Sequence, residues 1–122
     1  MKQVLIVDDS EQIRQRLVTL LAESAQIRIV GQAGNSLEAL EAVRRLKPDT
    51  VILDIRLPGT SGIELLKQIK AMHPEMKVIM LTNFDYALYR QQCRQLGADH
   101  FLNKTLEFEK IVDTIMDNPS VV

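Results

Sequence analysis

Apolar residues along this chain fall into two alternating patterns. Val4-Leu5-Ile6-Val7, Ile27-Arg28-Ile29-Val30, Thr50-Val51-Ile52-Leu53, Val78-Ile79-Met80-Leu81 and His100-Phe101-Leu102 are short runs rich in β-branched residues. They are too short for helices, and near-continuous apolarity suits strands covered on both faces of a sheet. Between them, apolar residues recur at three- and four-residue spacing: Ile13, Leu17, Leu20, Leu21; Leu37, Leu40, Val43, Leu46; Leu65, Leu66, Ile69; Tyr89, Cys93, Leu96; and Phe108, Ile111, Val112, Ile115. That period predicts five helices, each with one inward face. The punctuation agrees. Asn35 or Ser36 is placed to cap the second helix and Pro48 lies beyond its end, while Pro58-Gly59-Thr60-Ser61-Gly62 makes a turn before the third. Gly97 stops the fourth helix at C′, and Thr105 is placed to cap the fifth.

Five strand–helix units in succession predict an α/β fold, a doubly wound (βα)5 sandwich with a parallel sheet covered on both sides, because parallel neighbours require right-handed crossovers. No repeat, linker or low-complexity tract interrupts it. The expectation is one domain over residues 1–122, an ordered core of about 3–117 and a frayed end at 118–122. At this length a core forms without disulfides. The single Cys93 cannot close an internal bridge, and with His73 and His100 it makes no zinc-ligand spacing. A reducing, intracellular compartment follows. Four-residue apolar runs fall far short of the roughly twenty residues that cross a bilayer, so no membrane association is expected. With 15 basic and 16 acidic side chains, a formal charge of -1 argues against nucleic-acid binding by this chain alone.

In sheets of this class, ligands bind beyond the carboxyl ends of the strands. There the sequence places Asp8 and Asp9 after the first strand, Asp54 after the third, Thr82 after the fourth and Lys104 after the fifth. Each has an ordinary reading alone: acids at a helix start complement its dipole, Thr82 caps, Lys104 is solvated. Jointly those readings are poor. Three converging carboxylates repel by on the order of a few kcal/mol per pair at an effective dielectric near 20, so a cation must relieve them. An all-oxygen donor set without thiol or imidazole fits Mg²⁺. An Asp beside such a metal is a competent nucleophile toward phosphorus. Lys104 and the Thr82 hydroxyl supply the remaining charge stabilisation for a phosphoryl group. Asp54, at the central strand, is the natural attacking group, with Asp8 and Asp9 serving the metal and the Arg56 backbone carbonyl as a further ligand.

Taken together, Val7-Asp8-Asp9-Ser10, Leu53-Asp54-Ile55-Arg56-Leu57-Pro58-Gly59 with Ser61-Gly62, Leu81-Thr82, and Gly97-Ala98-Asp99 followed by Phe101 and Lys104 resemble the receiver domain of bacterial two-component response regulators. The likeness spans essentially the whole chain, and the segment from Phe101 to Glu109 is similar to receivers of the NarL/FixJ type. It implies a CheY-like, flavodoxin-like sheet in order 2-1-3-4-5 and a phosphoryl group accepted on Asp54 from a histidine kinase or a histidine phosphotransfer protein. It also implies Mg²⁺ on Asp9 and Asp54 with Asp8 assisting through water, and Lys104 on the phosphoryl group. A switch is implied as well: Thr82 moves inward, the aromatic at 101 follows, and the surface of the fourth helix, fifth strand and fifth helix changes, a surface through which such domains also dimerise. The implied location is the cytoplasm. No turnover of external substrates and no output domain within these residues are expected.

Two positions depart from the commonest receiver pattern. Thr105 stands where many receivers have proline, which leaves that loop less constrained. Phe101 stands where tyrosine is more frequent, and without a hydroxyl its ring is predicted to favour the buried side. Rivals are disfavoured by particular residues. A haloacid-dehalogenase-like phosphatase carries a second Asp where this chain has Arg56, and a flavodoxin-like carrier would place a phosphate against Asp8-Asp9. A receiver-shaped interaction module that no longer needs phosphate is the nearest alternative.

Overall fold

A computed structural model of the chain describes residues 1–117. The expected frayed end at 118–122 lies outside the described residues. Strands β1 (Lys2–Val7), β2 (Ile27–Ala33), β3 (Thr50–Leu53), β4 (Lys77–Thr82) and β5 (His100–Asn103) alternate with helices α1 (Glu11–Leu21), α2 (Ser36–Leu46), α3 (Gly62–Met72), α4 (Ala87–Gln95) and α5 (Ile111–Met116). The strands form one parallel sheet in the order β2-β1-β3-β4-β5. The chain steps outward from β1 to β2 and then crosses β1 to reach β3. The strand order therefore reverses between β1 and β3, and a crevice opens there at the carboxyl edge.

Period-two alternation divides the core into two layers. Leu5, Val7, Val51, Leu53, Val78 and Met80 face α2, α3 and α4, meeting Ala39, Val43, Leu65, Leu66, Ile69 and Cys93. Val4, Ile6, Ile52, Ile79 and Leu81 face the other way, against Leu17 and Leu21 of α1 and Ile111 and Ile115 of α5. The central strands are buried on both faces, which is why their sequences read as unbroken apolar runs.

Local chemistry sets the helix ends. Ser10, Asn35 and Ser61 accept with their side chains from the backbone N–H three residues on, at 3.2, 2.8 and 3.2 Å. Gly97, at φ +99°, closes α4: its N–H reaches the Arg94 carbonyl at 3.1 Å while Ala98 N–H reaches Cys93 at 2.9 Å. That is the 5→2 and 6→1 pair of a Schellman ending. Lys77 caps α5 from a distance, its ammonium donating to the carbonyls of Thr114 and Asp117, each at 2.7 Å.

Two sequence expectations give way. Leu37 is 77% exposed and does not belong to the inner face of α2, which is formed by Ser36, Ala39, Ala42 and Val43. The cause is the anchoring of Ser36 under the next crossover. Its N–H donates to Pro58 carbonyl at 3.2 Å and its hydroxyl accepts from Thr60 N–H at 2.9 Å, so the helix is rotated to put small residues against the sheet. Thr105 does not cap the fifth helix. A short 3-10 turn, Phe108–Lys110, precedes α5, and the Asn103 side chain accepts from the N–H groups of both Thr105 and Leu106 at 2.9 Å.

Candidate functional site

The four loops at the carboxyl edge bring Asp8, Asp9, Asp54, Thr82 and Lys104 to the β1/β3 crevice. Asp8 and Asp54 are 2% and 5% exposed, whereas their neighbour Asp9 is open to solvent. A carboxylate oxygen from each of the three acids lies within 4.8 Å of the others. Lys104 reaches across from the end of β5 and bridges two of them, with Nζ 2.6 Å from Asp54 Oδ2 and 2.7 Å from Asp8 Oδ2. The other oxygens are held by the backbone: Ser10 N–H donates to Asp8 Oδ1 at 2.8 Å and Ile55 N–H to Asp54 Oδ1 at 2.7 Å. Both carboxylates are thus fixed in orientation.

The electrostatics are lopsided. Burial raises the Asp8 carboxyl above its ordinary range, and the hydrogen bonds from Lys104 and Ser10 N–H only partly offset that. Lys104 is also buried, which works against its charge, yet its hydrogen bonds to Asp54 and Asp8 prevail and raise its pKa. The ammonium has two carboxylates to itself, whereas the carboxylates share one ammonium and repel each other. Three acids against one lysine leave two formal negative charges in the crevice. The donor set is all oxygen, closely spaced and under-neutralised, and so fits a hard divalent cation.

The rest of the rim is equally specific. Thr82 is fully buried, and its hydroxyl accepts from Phe84 N–H at 3.1 Å, an engagement within its own loop. Lys104 N–H donates to the Thr82 carbonyl at 2.9 Å, and the Thr105 hydroxyl to Asn83 Oδ1 at 2.8 Å, which ties the two loops beside Asp54 together. Arg56, two residues past Asp54, is exposed, with its guanidinium carbon 5.2 Å from the Phe84 ring centroid. Gly62 lets the start of α3 lie against the site, because its N–H bonds the Ile55 carbonyl at 2.6 Å and a Cβ there would stand 1.8 Å from the Asp54 carbonyl oxygen. Phe101 is half-buried, packed on the core layer beneath α4 with the Arg90 guanidinium 4.6 Å above its ring, a cover the sequence did not disclose. Arg90, Asp85 and Glu107 were not singled out from the sequence. They carry no motif, and they meet only because α4 and the loops after β4 and β5 fold together.

A five-stranded 2-1-3-4-5 parallel sheet with an acidic cluster at its reversal point defines a CheY-like receiver fold. Residues 4–116 match the response regulator receiver domain family, and the chain belongs to it, the receiver class of two-component systems. It is 32% identical over 115 residues to the response regulator GacA of Pseudomonas viridiflava, covering 94% of this chain and 54% of that protein. It is 39% identical over 117 residues to an uncharacterized response regulatory protein of Vibrio cholerae, covering 94% and 47%. The chain thus spans about half the length of these relatives. Among solved structures, the response regulator domain of Thermotoga maritima CheB superposes with a TM-score of 0.89 at 31% identity, covering 100% of this chain and 98% of that one. The Borrelia burgdorferi CheX-CheY-BeF3-Mg²⁺ complex matches with a TM-score of 0.87 at 28% identity, covering 94% and 87%. Among the described residues no helix is long and apolar enough to cross a membrane.

Proposed function

We propose that this domain accepts a phosphoryl group on Asp54 from a phosphohistidine of a histidine kinase or phosphotransfer protein, and that the modification changes its α4–β5–α5 surface. The observation that carries the reading is the Lys104 bridge between Asp54 and Asp8 inside an under-neutralised acidic crevice. In the transfer, an Asp54 carboxylate oxygen forms a bond to phosphorus as the P–N bond to the donor imidazole breaks, leaving an acyl phosphate and a histidine that takes up a proton. Asp54 presents its carboxylate with one oxygen already on Ile55 N–H. Lys104, already within 2.6 Å of the other, follows the incoming charge onto a phosphoryl oxygen. The Thr82 hydroxyl, which accepts from Phe84 N–H, turns to donate its own proton to a second phosphoryl oxygen.

Asp9, Asp54 and the Arg56 carbonyl would hold Mg²⁺, with Asp8 acting through water. The ion supplies neutralisation of the phosphoryl charge. The phosphoryl group adds roughly 1.5 to 2 negative charges, and the conformer that pairs them better gains population. The same reading makes residues 1–122 one receiver unit, cytoplasmic, without turnover of external substrates or nucleic-acid contact of its own, and with self-association through the α4–β5–α5 face. The relative solved with BeF3 and Mg²⁺ supports the ligand chemistry. Incubation with Mg²⁺ and acetyl phosphate, read by intact mass, tests it. A phosphate-sized increase is expected in the parent and none in Asp54→Ala. No increase in the parent would leave the phosphate-independent module as the better account.

A further inference from the structure

Among the described residues, a dense set of charged contacts outside the acidic crevice centres on Arg90 of α4. Its Nε and Nη2 both donate to the Asp85 carboxylate, the Nη2 bond at 3.0 Å. Nη2 also lies 3.6 Å from Glu107 Oε1, Nη1 is 3.5 Å from the Phe101 carbonyl oxygen, and the guanidinium carbon stands 4.6 Å over the Phe101 ring. Asn103 completes the set: its side chain donates to Asp85 Oδ2 at 3.3 Å and its N–H to Glu107 Oε1 at 2.9 Å. One guanidinium therefore joins the loop after β4, helix α4, strand β5 and the turn before α5. The fork of Arg suits this, since it can hold a carboxylate with two donors while its face covers an aromatic ring. Bonding to Arg90 holds the Asp85 carboxyl below the usual carboxylate range, consistent with a formed ion pair.

Asp85 lies three residues past Thr82, on the loop whose Phe84 N–H now occupies the Thr82 hydroxyl. A Thr82 that turned toward Asp54 would give up that bond, and the loop that followed it would draw Asp85 away from Arg90. We propose that Arg90 is a positioning residue of the phosphorylation switch: by gripping Asp85, Glu107 and the Phe101 ring together, it holds the β4–α4 loop in the arrangement in which the Thr82 hydroxyl accepts from Phe84 N–H, and opposes a move of Thr82 toward Asp54. The inference rests on Asp54 being the phosphoacceptor. It assigns to Arg90 a restraint on Phe101 that does not need the hydroxyl this ring lacks.

The test uses beryllofluoride with Mg²⁺ as the stand-in for a phosphoryl group on Asp54, titrated calorimetrically into the parent, Arg90→Gln, Asp85→Asn and the double variant. Releasing the partly exposed ion pair, and in Arg90→Gln the cation–π contact with it, is expected to tighten binding about three- to tenfold in each single variant. The double variant should gain no more than the better single one, because both remove one latch. Arg16→Gln is the matched control. Its guanidinium stands 4.2 Å over the Phe108 ring and, unlike that of Arg90, pairs with neither Asp85 nor Glu107, so its loss should leave the affinity unchanged. In the unliganded variants, the amide resonances of Thr82 and Phe101 should move toward their positions in the beryllofluoride-bound parent, which a purely structural loss would not produce. Unchanged or weaker affinity in variants that unfold at near-parent temperature overturns the proposal. Should Arg90→Gln not fold, Asp85→Asn, which removes only a charge, decides. A parent that does not bind beryllofluoride refutes the phosphoacceptor reading itself and the latch with it, an outcome distinct from a parent that binds and variants that match it.

Discussion

Gly62→Ala places one methyl group where there is no room. The ideal Cβ would stand 1.8 Å from the Asp54 carbonyl oxygen, 2.7 Å from its carbon and 2.8 Å from Ile55 Cα. Non-bonded heavy atoms settle at roughly 3.5 Å, so α3 and the end of β3 must part by about 1.5 Å. The obstacles are backbone atoms and cannot rotate aside. Overpacking of this kind costs about 1–3 kcal/mol, and the parting also breaks the 2.6 Å bond from Gly62 N–H to the Ile55 carbonyl, worth about 1 kcal/mol more. A loss of about 3 kcal/mol should lower Tm by roughly 12 °C in a domain of this size, followed by far-UV circular dichroism without added metal. Gly97→Ala separates the two ways a glycine can be required. There φ is +99° but the nearest atom to an added Cβ is the flexible Lys70 side chain at 3.4 Å, so only backbone strain of about 1–2 kcal/mol is expected. If Gly62→Ala melts within about 3 °C of the parent, the close approach that shapes the Asp54 loop is not as described.

Other consequences can be checked separately. Lys104→Gln removes the cation that bridges Asp8 and Asp54 and should destabilise the metal-free domain by about 3–5 kcal/mol. Millimolar Mg²⁺ should then raise its melting temperature more than that of the parent, and an equal rise in both would count against the shared crevice. Burial pushes the Cys93 thiol up to about 11, so Ellman's reagent at pH 8 should leave the native protein unmodified and titrate one thiol after unfolding. Fast labelling of the native state would contradict its burial. The Asp85 carboxyl, held down by the hydrogen bond from Arg90, should show an NMR titration midpoint below 3.8. Because its folded pKa is depressed, its contribution to stability is present above the unfolded value and is lost as pH falls through the folded one. Arg90→Gln should bring the midpoint back toward 3.8.

Much of the fold was legible because parallel strands covered on both faces must be apolar throughout, and because helices against a sheet must repeat at three and four residues. The errors fall where a distant contact outweighed a local pattern. Leu37 has the right spacing for the core, yet the bonds from Ser36 to the Pro58–Thr60 loop rotate α2 and leave it in solvent. Strand β2 extends through Gly31, Gln32 and Ala33 because Leu5 to Val7 offer a parallel partner, not because those residues favour a strand. Thr105 has the chemistry of a cap, but its hydroxyl is drawn to Asn83 Oδ1 at 2.8 Å, and the Glu107 N–H two residues on goes to the Asn103 carbonyl at 2.9 Å.

The amino-acid sequence alone determined the order of elements, the doubly wound α/β class and the identity of the residues that end the strands, since strand ends follow from where apolar runs stop. Tertiary structure decided what those residues are to one another. Asp8 and Asp9 are neighbours in sequence with opposite exposure, Lys104 chooses Asp8 and Asp54 as its partners, and Arg90 lies over Phe101 while holding Asp85. These pairings join segments whose separation along the chain carries no periodic signal, and only the packing of α4 and the strand-end loops brings them within hydrogen-bonding distance.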